Sequence, residues 1–133
     1  MESWFTSGYA YKRGQVRKTW KRRFFSLDAD GFQYFTENKK KRKGGCDLID
    51  IESVSTVSVA SRHPGWTLEV RWAGRTLLMQ LCSIAERDRW RTAILLCIEK
   101  VSSNFTTSLS ETTRGFSNYF IMHVIYSKFF LEQ

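Results

Sequence analysis

The hydrophobic period of this chain changes once, at Ser83, and that change restricts the fold more than any other feature. Upstream, apolar and β-branched residues come in short runs: Gly8 to Lys12, Thr19 to Leu27, Phe32 to Thr36, Cys46 to Ile51, Val54 to Val59, Trp66 to Trp72 and Arg75 to Leu81. The clearest is a hairpin in which Trp66, Leu68, Val70 and Trp72 alternate with polar residues before Ala73 and Gly74 turn the chain. Downstream, Trp90, Ile94, Cys97 and Val101 recur at helical spacing, with Arg87, Arg91 and Glu99 on the opposite face. Ser83 followed by Glu86 predicts a capping box at the start of a helix of about five turns.

Seven short strands in meander order and one C-terminal helix predict a mainly β domain. The economical way to bury the apolar face is a strongly bent, partly open barrel with the amphipathic helix plugging one end. The Ser/Thr-rich stretch from Ser102 to Thr113 reads as a loose linker, and Phe116 to Leu131 as an apolar extension without a place in the barrel. The expected division is therefore a domain over 1–102 and an extension over 103–133.

Charge is unevenly placed. Of the formal +8, residues 1–46 hold 12 Lys/Arg against 4 Asp/Glu, while 47–133 hold 9 of each, so the whole excess lies in the first third. Such asymmetry calls for an anionic partner at one edge of the fold. Three cysteines without paired spacing argue against a disulfide framework. The N-terminus lacks the pattern of a secretion signal, and no stretch is apolar enough to span a membrane. The expectation is a cytoplasmic protein, peripheral on membranes, with a nuclear fraction open.

Catalysis has no visible apparatus. His63 and His123 have no partner at metal-ligand spacing, no Cys-x-x-Cys pair exists, and no glycine-rich phosphate loop follows a strand. No cofactor or metal is expected. The informative constellation is cationic: in a strand from Thr19 to Leu27, Lys21, Arg23, Phe25 and Leu27 share one face, cationic at its start and apolar at its end. Cations above hydrophobes make a pocket for an anion, and clustered phosphates suit Arg and Lys donors. By charge alone, an ordinary solvated hairpin stands equally beside that pocket.

The stretch GYAYKRGQVRKTWKRRFFSLDADGFQYFTE resembles the opening strands of the pleckstrin homology domain family, and SIAERDRWRTAI, with Trp90, is similar to its closing helix. Gly8, Lys12, Trp20, Lys21, Arg23 and Phe25 carry the basic pattern of phosphoinositide-binding members, and the likeness covers about residues 5–102. The resemblance implies a seven-stranded bent barrel that holds an inositol phosphate at its open end. It places Lys12 and Lys21 on ring phosphates, Arg23 on the pocket floor and a phosphate, and Lys18 on a further contact from the first loop. Tyr34 would supply a hydroxyl and Lys43 another cation. The short Ala73–Gly74 turn leaves out any lipid contact that some members draw from a longer hairpin.

Val16, at the tip of the first loop beside Arg17, is expected to dip into the membrane interface. The run Lys39, Lys40, Lys41, Arg42, Lys43 is expected to be a loop lying over an anionic leaflet, where each cation contributes about 1 kcal/mol. A plain solvated loop that keeps a sheet edge from aggregating ranks behind that, and nuclear import or nucleic-acid binding ranks third. The function expected is a noncatalytic phosphoinositide-binding module for membrane recruitment in signalling; the alternative is an adaptor domain that docks a protein without a specific lipid.

Overall fold

A computed structural model of the chain describes residues 5–14 and 16–112. Seven strands precede one helix: β1 (Thr6–Arg13), β2 (Lys21–Asp28), β3 (Gly31–Phe35), β4 (Arg42–Cys46), β5 (Ile51–Val57), β6 (Thr67–Trp72), β7 (Arg75–Gln80) and α1 (Ile84–Thr112). They form a single antiparallel sheet in the order β4-β3-β2-β1-β7-β6-β5. The expected meander is thus interrupted once. β4 and β5 are the two edges, and β7 returns to pair with β1 through Tyr11 opposite Gln80 and Lys12 opposite Met79.

Period two sorts β1, β2 and β7 into an inner and an outer face. Ala10, Phe25, Leu27, Leu77 and Met79 are buried on the inner side, joined by Phe32 from β3 and Leu68 and Val70 from β6. Fully burying each of the Phe, Leu, Val and Met side chains contributes roughly 1.5–3 kcal/mol. Phe25 sits at the centre of an aromatic chain, edge-on to Trp90 at 6.4 Å and tilted against Tyr34 at 5.5 Å. Through it, the helix is packed to the same core that floors the opposite end.

Trp90, Ala93, Ile94 and Cys97 are the buried face of α1, as their spacing predicts. Its cap is half of the expected box. The Glu86 amide donates to Ser83 Oγ at 3.0 Å, but the Glu86 carboxylate turns away from the cap and accepts two bonds from Arg89, at 2.7 and 2.8 Å. A charged bidentate pair outcompetes a single bond to a neutral amide. The helix also runs past the expected end near Val101 to Thr112. Ser and Thr cost only a few tenths of a kcal/mol each in a helix, and neither Gly nor Pro interrupts the chain from Ser83 to Thr113. The apolar extension at 116–131 lies outside the described residues.

β4 departs from expectation as well. Arg42 and Lys43 are in the strand and not in a loop, and the chain then makes a 3-10 turn at Leu48–Asp50 before β5. Gly44 and Gly45 read as breakers in sequence, yet here they permit a close approach. A Cβ on Gly44 would overlap the Tyr34 side chain, and one on Gly45, whose φ is +137°, would overlap the Phe32 carbonyl.

Candidate anion-binding cup

The inner rows of β1, β2 and β7 run out of apolar residues at the end of the barrel away from α1, and cations take their place. Lys12 follows Ala10, Arg23 and Lys21 precede Phe25, and Arg75 precedes Leu77, each two residues from the last. Lys12 and Lys21 stand directly opposite one another in the β1–β2 ladder. The resulting open cavity, of about 440 Å³, is lined by Lys12, Val16, Arg17 and Arg75 around Tyr34 and Trp72.

The electrostatics of the cup are one-sided. Burial lowers the Lys12 pKa from its ordinary value, and Arg23, Lys21, Lys43 and Arg75 each push it further the same way. Its Nζ lies 5.2 Å from the ring centroid of Tyr34, a cation–π contact that partly offsets the crowding. Tyr34 is only 7% exposed, and burial raises its phenol pKa against the opposing pull of Arg75, Arg23 and Arg42. None of Lys12, Lys21, Arg23, Lys43 or Arg75 is in a salt bridge among the described residues. Arg23 Nε is enclosed without an acceptor, and a buried donor left unmet costs about 1–3 kcal/mol. The arrangement is chemically fit to take up a compact polyanion.

The residues expected to act together do not all meet. Lys12 and Tyr34 line the cup, whereas Lys21, Arg23 and Lys43 do not line it and lie close enough for their charges to act on Lys12. Lys18 and Lys40 and Lys41 are exposed and line no part of it. Val16 is 94% exposed at the cup's rim beside Arg17, which lines the cavity. Lys39, at φ +66°, turns its ammonium onto the outer face, 4.5 Å from the Phe24 ring centroid. Arg42 donates from Nε to Gln33 Oε1 at 3.1 Å.

Arg75 is the residue that the sequence reading passed over. The turn before it is indeed minimal, with Ala73 and Gly74 both at positive φ, so the loop itself reaches nothing. The signal lay in the strand that follows, where Arg75, Leu77, Met79 and Leu81 repeat the cation-then-apolar row of β2.

The PH domain family matches residues 4–99. Among curated proteins, human pleckstrin homology domain-containing family A member 2 is 62% identical over 121 residues, covering 84% of this chain and 28% of its own length. The mouse protein "Differentially expressed in FDCP 6" is 29% identical over 104 residues, covering 78% of this chain and 16% of its own. The chain therefore spans less than a third of these relatives. Among solved structures, the N-terminal PH domain of human ARAP2 protein aligns with a TM-score of 0.62 at 22% identity, over 77% of this chain and 85% of that one. The C-terminal PH domain of pleckstrin, solved with D-myo-Ins(1,2,3,5,6)P5, aligns with a TM-score of 0.58 at 27% identity, over 70% and 93%.

Proposed function

The chain belongs to the pleckstrin homology domain family, and we propose that it is a noncatalytic module that captures phosphoinositide head groups and so recruits its protein to the cytosolic face of membranes. The observation that carries this is the cluster of cations around Lys12: four neighbours all raise the cost of charging it, and among the described residues no carboxylate forms a salt bridge with any of them. A ring bearing several phosphates would relieve that repulsion, each charged hydrogen bond contributing roughly 1.5–3 kcal/mol. The inositol phosphate bound by a pleckstrin PH domain at 27% identity supports the choice of ligand.

In this proposal Lys12, Lys21 and Arg23 grip ring phosphates, Tyr34 and Lys43 assist, and Arg75 joins them from β7. Val16 and Arg17 contact the bilayer at the rim, while Lys18, Lys40 and Lys41 add diffuse attraction to anionic lipid. Lys39 and Arg42 contribute charge to that field but are held by Phe24 and Gln33. Residues 1–102 carry the module and 103–133 extend it. No helix of the described residues is long and apolar enough to cross a membrane.

Liposomes carrying phosphoinositide, compared with phosphatidylserine liposomes of matched charge, test the proposal. Head-group-dependent retention that Arg23→Glu abolishes, with the thermal transition kept, is the expected result. Equal retention on both liposomes, or by the variant, overturns it.

A further inference from the structure

The outer face of the same hairpin carries a second cleft, of about 640 Å³, with Tyr9, Tyr11, Trp20, His63 and Trp66 among its lining residues. Tyr11 and Trp20 form one wall. They share the outer face because Tyr11 pairs with Arg22, two residues beyond Trp20. The loop before β6 forms the other wall, where His63 stacks flat on Trp66 with centroids 3.7 Å apart and planes 7° apart.

That loop is held in place. The Gln80 amide, 7% exposed, donates to the His63 carbonyl at 3.0 Å and to Ser61 Oγ; Arg87 donates to the Gly65 carbonyl at 2.8 Å, and the Leu81 amide to that of Trp66 at 2.9 Å. His63 is accordingly part of a built wall rather than a solvated turn. A cleft whose walls are fixed before binding needs little ordering when a ligand enters.

A polyphosphate does not suit it. Arg22 is committed to Glu37 at 3.3 Å and to the Tyr9 ring at 4.0 Å, and the Glu86 carboxylate is taken by Arg89. What is left is aromatic surface with one lining cation, exposed Arg62, and a second beside it, Arg13, stacked 5.6 Å from the Trp20 centroid. Neither has a carboxylate partner among the described residues. Among those residues, too, the Tyr11 hydroxyl and the indole N–H groups of Trp20 and Trp66 have no acceptor.

We propose that this cleft docks a proline-rich segment of a partner protein, in the polyproline II conformation and flanked by acidic residues. Proline rings lie flat against aromatic walls, and the segment's unpaired carbonyls accept from Tyr11 and the tryptophans. Acidic flanks answer Arg13 and Arg62. The polyproline conformation is formed before binding, so rigid cleft meets rigid ligand.

The test uses the full chain, ¹⁵N-labelled, with a peptide of eight prolines bounded by two glutamates at each end. The indole resonances of Trp20 and Trp66 are expected to shift on titration, while those of buried Trp72 and Trp90 stay fixed. Tyr11→Ser, at a position 47% exposed, and Arg62→Glu should each weaken binding about tenfold, and Arg23→Glu should leave it unchanged. The proposal is overturned by unmoved Trp20 and Trp66 resonances, by equal binding of a peptide with alternate prolines replaced by alanine, or by equal binding to Tyr11→Ser. It is overturned equally if Tyr11→Ser releases the chain from phosphoinositide liposomes as Arg23→Glu does, which would make the cleft a lipid surface.

Discussion

Lys12 and Lys21 face each other across the β1–β2 ladder, two ammonium groups on one side of one hairpin. Like charges directly opposite in a sheet are destabilising, and here they stand where the apolar rows end and three further cations gather. The free domain therefore holds an arrangement that an anion improves.

Removing one of the pair should stabilise the free protein. The folded state lowers the Lys12 pKa below its ordinary 10.5, chiefly through burial and then through Arg23. Between the lowered value and 10.5 the unfolded chain binds more protons, so this residue's contribution improves as pH rises through that window and is unfavourable throughout the range below it. Lys12→Met is expected to raise the thermal midpoint at pH 7 by about 1–3 °C while weakening phosphoinositide binding. The gain should shrink as the pH approaches 10.5, and a lowered midpoint at pH 7 would count against like-charge strain.

Arg75→Ala should leave the fold intact, since the side chain is exposed at the rim, yet weaken capture of inositol phosphates about tenfold or more, the loss of one charged hydrogen bond. Isothermal titration with a soluble inositol polyphosphate measures it. Unchanged affinity would remove Arg75 from the site.

Gly45→Ala places a Cβ against the Phe32 carbonyl at a φ of +137°. The expected cost is about 2 kcal/mol or more, read as a fall of roughly 5–10 °C in the thermal midpoint. A variant as stable as the parent would mean that β4 can lift away from β3 freely.

Thiol labelling should be selective. Burial pushes the Cys97 and Cys46 thiols up to about 12, in the latter case with help from Asp50 and Asp47, whereas Cys82 is exposed. One fast-reacting thiol in the native protein and three after denaturation are expected with a disulfide reagent. Two fast thiols would show that Cys46 is accessible.

Much of the cup was legible because strand parity is local. Once Thr19 to Leu27 is recognised as a strand, Lys21 and Arg23 must share the face of Phe25, and the partner strand brings Lys12 opposite. Arg75 is equally legible by parity, two residues before Leu77 and four before Met79, although the turn that precedes it is too short to mark it. The rest depended on contacts between distant segments. Gly44 and Gly45 look like a break until Tyr34 and Phe32 are known to lie against them. Lys39 looks like one member of a solvated run until its positive φ delivers it to Phe24. The end of α1 is hidden in the sequence because Ser and Thr suggest a linker, although neither Gly nor Pro breaks the helix before Thr112.

Parity has a further consequence for how this hairpin can change. Sliding β2 by a single residue against β1 would exchange its two faces, sending Trp20 and Arg22 into the cup and Lys21 and Arg23 into the aromatic cleft. Length variation is therefore tolerable only in the connecting turn, in steps that leave the ladder untouched. Single substitutions, by contrast, alter one surface at a time, so neighbouring positions in the chain can drift under separate selection while sharing one backbone.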